Sequence, residues 1–138
     1  SIYTQIIESK PVPAAVVLSV IYKHRGMAYF AQNLYDNALA DFSKSFEYDQ
    51  KNFRSIYYKG IVYSVLNRNS EAVECFNKSL EINAFQSHVF YRRGLTYYNM
   101  GEYSLAMQDV TNAVNLGLED EDLKELRNKL VKKFEMGM

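Results

Sequence analysis

Three glycines, Gly26, Gly60 and Gly94, stand 34 residues apart, and the chain repeats itself around each of them. Tyr22, Ile56 and Phe90 lie four positions before the glycine, and a basic residue (Arg25, Lys59, Arg93) comes immediately before it. Tyr29, Tyr63 and Tyr97 follow three positions later. Ala38, Ala72 and Ala106 come twelve after the glycine, and Phe42, Phe76 and Val110 four beyond those. A period in this range means stacked supersecondary units that bury a shared core between neighbours.

Each unit carries two apolar stretches at helical spacing with polar turn residues between them. In the first unit these are Tyr22, Met27, Tyr29 and Phe30, then Leu39, Phe42 and Phe46, with Gln32 to Asn37 joining them. The pattern predicts a helix hairpin per repeat. Glycine inside a helix costs about 1 kcal/mol against alanine, so three at one phase need a packing reason. The expectation is that each faces its repeat's alanine (Ala38, Ala72, Ala106) where the two helices approach closely.

These residues resemble the tetratricopeptide repeat, whose unit reads W-x2-L-G-x2-Y, A-x3-F, P. The resemblance runs from about Ser19 to Leu118 and recurs three times in register. Tryptophan is absent, a basic residue replaces the leucine, and no proline closes a repeat. The resemblance implies an all-α, right-handed α-solenoid of three hairpins over residues 19–52, 53–86 and 87–118, with a capping helix over 119–135. Together these form one domain over 13–135, preceded by a segment over 1–12 that could make a short helix.

The 138 residues carry 16 basic and 16 acidic side chains, and this balance argues against nucleic-acid binding. The lone Cys75 rules out an internal disulfide and reads as a small packed residue. No secretory leader is visible. The apolar run 12–22 is shorter than the roughly 18 residues of a membrane span, and reads as an extended entry into the first repeat helix, begun near Pro13. These features point to a cytoplasmic protein away from membranes. Opening on Ser1 rather than methionine suits a processed form or an excised piece.

In the C-terminal segment, Asp120, Glu121 and Asp122 stand at the start and Lys132 and Lys133 near the end, as the helix dipole favours. Leu123, Leu126, Leu130 and Phe134 form one stripe, suited to covering the last repeat. The alternative use of this stripe is self-assembly into a homo-oligomer.

Catalytic and metal chemistry find no support. The two histidines, His24 and His88, are two repeats apart. At 8–10 Å between helices they would be roughly 16–20 Å from each other. No phosphate loop, nucleophile elbow or ligand cluster accompanies them. The chain reads as no enzyme, with no metal or other cofactor. Arg25 and Arg93 each precede an aspartate by sixteen residues (Asp41, Asp109), whereas Lys59 is followed by Cys75. This co-variation predicts two ion pairs within repeats one and three.

The resemblance implies that first helices line a concave face and that a partner peptide lies there. Counted by phase from each glycine, the inward residues begin with Val20, Lys23, His24, Met27 and Phe30 in repeat one. Arg54, Tyr57, Tyr58, Ile61 and Ser64 follow in repeat two, then His88, Tyr91, Arg92, Leu95 and Tyr98 in repeat three. Met27, Ile61 and Leu95 make an apolar floor, and none of these residues is acidic. Some relatives grip a chaperone's C-terminal carboxylate with Lys, Asn, Asn, Lys and Arg. Those places hold Lys23, Met27, Tyr58, His88 and Arg92 here, so both amides are missing. The expected function is a protein-interaction module that favours acidic or aromatic segments. The alternative is a structural module assembling through its terminal helices or convex face.

Overall fold

The computed structural model describes residues 13–137, and the segment before Pro13, with its expected short helix, lies outside the described residues. Seven helices follow in order: α1 (Ala14–Ala31), α2 (Tyr35–Tyr48), α3 (Phe53–Val65), α4 (Asn69–Ile82), α5 (Ser87–Asn99), α6 (Tyr103–Asn115) and α7 (Glu121–Glu135). They pair as hairpins α1–α2, α3–α4 and α5–α6, with α7 closing the last, an all-α repeat solenoid. The apolar run expected to enter in extended form is helical from Ala14 onward, because Pro13 supplies the fixed φ that precedes a first turn.

The period is written into the backbone. Asn33, Asn67 and Gly101, again 34 apart, adopt left-handed φ angles of 61°, 60° and 80°. Asparagine and glycine enter that region at least cost. Each thereby ends a first helix in the same way: the amides of Leu34, Arg68 and Glu102 donate to the carbonyls of Tyr29, Tyr63 and Tyr97 at 2.9, 2.8 and 2.9 Å. Gly117, at φ 95°, ends α6 in a similar turn that sends the chain into α7. There Asp120 accepts from the Leu123 amide at 2.8 Å and caps the helix.

The conserved phase of the glycines has a different cause from the one expected. A Cβ on Gly26 would lie 2.8 Å from the Phe42 ring, and one on Gly60 would lie 2.7 Å from the Phe76 ring. At Gly94 the alanine is among the nearest neighbours, with the Ala106 carbonyl oxygen 3.3 Å away and the Asp109 Cβ at 3.1 Å. Where the second helix supplies phenylalanine, its ring presses on the glycine. At Gly94, where it supplies the smaller Val110, the Asp109 Cβ and then the Ala106 carbonyl oxygen come nearest.

Arg25 pairs with Asp41, and Arg93 with Asp109, each at 2.7 Å, so both expected ion pairs form. Lys59 instead lies over the Tyr63 ring, and burial pushes the neighbouring Cys75 thiol up to about 11, which leaves it unreactive. The seam between repeats one and two has a polar end beside its Phe42–Val62 cluster. Ser19 and Ser45 exchange hydroxyl-to-carbonyl bonds of 2.7 and 2.6 Å, Ser45 also bonds Ser55, and the Asn52 amide donates to Ser19 at 2.9 Å. In the next seam Ser79 donates to the Phe53 carbonyl at 2.9 Å, and Gln86 donates to the Ser79 and Asn83 carbonyls.

Leu123, Leu126 and Leu130 of α7 are buried with Ala106, Val110 and Ala113, so the stripe covers the last hairpin, leaving Phe134 exposed. Successive first helices touch: α1 meets α3, α3 meets α5, and α5 meets α7. Among the described residues no Cα atom of α2, α4 or α6 comes within 8 Å of a Cα atom in another of these second helices. Between α4 and α6 an open wedge of about 490 Å³ remains, flanked by Leu80, Tyr97 and Leu105. A stack in contact on one side and separated on the other must curve, with α1, α3 and α5 on its inner wall.

Candidate functional site

The thirteen candidate residues stand on three first helices. Lys23, His24, Met27 and Phe30 are on α1, Arg54, Tyr57, Tyr58 and Ile61 on α3, and His88, Tyr91, Arg92, Leu95 and Tyr98 on α5. Nine of them line two clefts. Met27, Phe30, Tyr57, Tyr58, Ile61 and Arg92 share a cleft of about 210 Å³ with the Phe42 ring. Tyr91, Leu95 and Tyr98 line a second cleft of about 140 Å³ between α5 and α7. Met27 and Ile61 lie in the first cleft and Leu95 in the second.

Several of the tyrosines serve the core as well as the cleft. Tyr58 stacks on Phe42 at 5.7 Å, and Tyr57 packs beside Phe76 at 5.9 Å and meets the edge of His88 at 5.0 Å. Burial pushes the Tyr57 hydroxyl up, while the neighbouring Arg92 guanidinium pulls it down. The aromatic signal in the sequence thus mixed packing with surface, since both use the same helical spacing.

The basic groups lie within electrostatic reach of one another. Burial, then the nearby Arg54, lowers the Lys23 pKa. Burial, followed by Arg54 and Arg92, lowers His88 below its ordinary value. Lys23, Arg54, His88 and Arg92 thus form a basic row across α1, α3 and α5. Among the described residues, Lys23, Arg54 and Arg92 stand in no salt bridge, whereas Arg25, Arg68 and Arg93 each hold a carboxylate. His24 is exposed on α1 and lines neither cleft.

The inner wall is not free of acid along its whole length. Asp122 and Glu125 of α7 line the second cleft with Lys129, which pairs with Glu125 at 3.3 Å. Tyr91 feels them: burial, then Asp122, raises its pKa. Phase counting from the glycines could not find these carboxylates, because the cap lies outside the repeat.

Among the described residues no three His, Cys, Asp or Glu side chains could hold a metal, and no helix is long and apolar enough to cross a membrane.

The tetratricopeptide repeat profile matches residues 20–52, 53–86 and 87–116. The chain belongs to the tetratricopeptide repeat family. Solved repeat domains share its fold at low identity. The first repeat domain of Spaghetti (RPAP3), bound to the HSP90 peptide SRMEEVD, superposes with a TM-score of 0.83 at 19% identity, over 86% of this chain and 94% of that one. The Sgt2 domain from Aspergillus fumigatus gives 0.81 at 19%, covering 92% and 83%. The yeast Sti1 TPR2B domain, in a complex with an Hsp70 peptide, gives 0.79 at 18%, covering 85% and 98%. No curated protein matches the chain. Profile and superpositions together make this a TPR chain by family and a helical solenoid by fold.

Proposed function

We propose that this TPR domain is a non-enzymatic adaptor that holds an acidic or aromatic partner segment along α1, α3 and α5. One observation carries the reading. In a chain with 16 acids and 16 bases, Lys23, Arg54, His88 and Arg92 gather on one wall, and the three permanent cations lack a carboxylate partner among the described residues. Keeping like charges together costs free energy, so a partner bearing carboxylates is rewarded on arrival. Arginine and tyrosine are also the side chains that dominate interface energies. The peptide SRMEEVD, held by the Spaghetti domain, is itself acidic, which supports the choice of ligand class.

The test uses calorimetric titration with a synthetic peptide of Glu, Leu and Phe, against one in which Lys replaces Glu. The first binds and the second does not. Arg54→Gln with Arg92→Gln abolishes binding while the thermal melt is retained. Both arginines are exposed, so this pair avoids the packing loss that Tyr57→Ala would cause. A silent titration of the unaltered domain, or equal affinity for both peptides, would remove the groove from consideration.

Self-assembly through the ends is a second reading, favoured by Ile21 of α1 at 55% exposure and Met136 after α7 at 80%. A sedimentation experiment that finds only monomer at tens of micromolar disposes of it.

A further inference from the structure

One face of α1 stands open where its counterparts in repeats two and three are covered. Ala14, Leu18, Ile21, Arg25 and Ala28, spaced alternately by four and three residues, make a continuous exposed stripe. One period on, Ile21 becomes Ser55 and then Val89, and Ala28 becomes Val62 and then Thr96; all four are buried. The second helix of the preceding hairpin covers this face. Val62 packs with Ala38 and Phe42 of α2, and Val89 with Phe76 and Leu80 of α4. Arg93 likewise reaches Asn77 of α4, whereas its counterpart Arg25 is exposed. The stripe on α1 is therefore a seat for a helix that runs back along it.

We propose that residues 1–9 of this same chain fill the seat as a short helix, with Ile2 beside Ile21 and Ile6 beside Leu18. Ile2, Tyr3, Ile6 and Ile7 fall on one side of a helix, with Thr4, Gln5 and Glu8 on the other. Pro11 and Pro13 stop it before α1. A helix this short is marginal alone in water, so packing on α1 is what forms it. The join has the right length. Residues 49–52 link α2 to α3 and residues 83–86 link α4 to α5, and residues 10–13 make the same span between Ser9 and Ala14. Two helices that fold back across such a link meet at equal distances from it. Leu80 lies two before the end of α4 and Val89 two after the start of α5, and they share a cluster. By the same count Ile2 lies seven before Ser9 and Ile21 seven after Ala14, about 10 Å along each helix. The segment thus covers Leu18 and Ile21 and stops short of Arg25 and Ala28. A second copy docked head to tail suits the seat less well. Lys124, Arg127 and Asn128 precede Val131 on the exposed side of α7 and would bring cations to Arg25.

Thermal melts of the full chain test the inference. Ile2→Ser/Ile6→Ser should lower the melting temperature by about 4–8 °C. Ile21→Ser, a swap nearly neutral in helix propensity, should lower it comparably. The triple variant should fall no further than the larger of these two losses, because both remove the same contact. An Ile21 left in water would instead shift the melt by only about 2 °C. An unchanged melt for Ile2→Ser/Ile6→Ser overturns the inference. Additive losses overturn it as well, since they set Ile2 and Ile6 against something other than Ile21. A melt of the unaltered chain that rises with protein concentration, with a sedimenting dimer that Ile21→Ser dissolves, gives the seat to a second copy and likewise overturns it.

Discussion

Arg93 holds Asp109 with two parallel hydrogen bonds, Nε to Oδ2 at 2.9 Å and Nη2 to Oδ1 at 2.7 Å, and its remaining nitrogen reaches Asn77 of the preceding repeat at 2.8 Å. Asp109 is 2% exposed, and burial pushes its carboxyl upward while Arg93 pulls it back. The guanidinium therefore fastens α5 to α6 and also to α4.

Removing one partner of such a pair leaves a buried charge unanswered, at a cost of about 3–5 kcal/mol. Arg93→Met should lower the urea midpoint accordingly, and Arg93→Met with Asp109→Leu should recover much of the loss. Arg25→Met should cost less, because 56% of the Arg25 side chain is exposed and water reaches its pair with Asp41. Equal losses at the two arginines would contradict this account.

Gly60→Ala places a methyl group 2.7 Å from the fully buried Phe76 ring and 3.1 Å from the Cys75 Cβ. Overpacking of this kind costs about 1–3 kcal/mol, against about 1 kcal/mol gained in helix propensity. Denaturation should show a net loss. Gly94→Ala, whose nearest contact is 3.1 Å, should lose less.

Arg54→Glu should stabilise the free domain and silence it. Reversing the charge at the start of α3 is worth about 1 kcal/mol through the dipole, and Lys23 gains an opposite charge nearby. The Arg54 contact over the Phe53 ring, 4.9 Å from its centroid, is lost and offsets part of this. A melting temperature raised by about 2–4 °C, together with abolished binding of acidic peptide, is expected. A lowered melting temperature would mean that Arg54 serves the fold.

His88 gives the domain two opposed pH responses. Its pKa is lowered in the folded state by burial, Arg54 and Arg92, so the unfolded chain takes up the proton first as pH falls. Stability rises with pH wherever the unfolded state binds more protons. Acidification from about pH 7.5 to about pH 5.5 therefore weakens the free fold. A carboxylate ligand favours the imidazolium, so affinity should rise over the same interval. In His88→Gln both slopes should flatten, as read by melts and titrations across pH.

The 34-residue period and the co-varying residues at 25, 41, 93 and 109 were legible because one physical cause repeats them. The Ser19–Ser45–Asn52–Ser55 seam was not, since a serine in a polar stretch looks the same whether it faces water or another helix. The glycine contacts were misassigned because sequence fixes which residues share a face, but not which of Ala38 and Phe42 reaches the opposite backbone. The candidate site was legible as helix phase only. Its division into two clefts, and the carboxylates brought by α7, depend on how the last hairpin meets the cap.

A wall joined along one side and slotted along the other flexes like a slit tube. As the array straightens, the slot between α4 and α6 narrows and the span from Lys23 to Arg92 lengthens, while each hairpin keeps its internal packing.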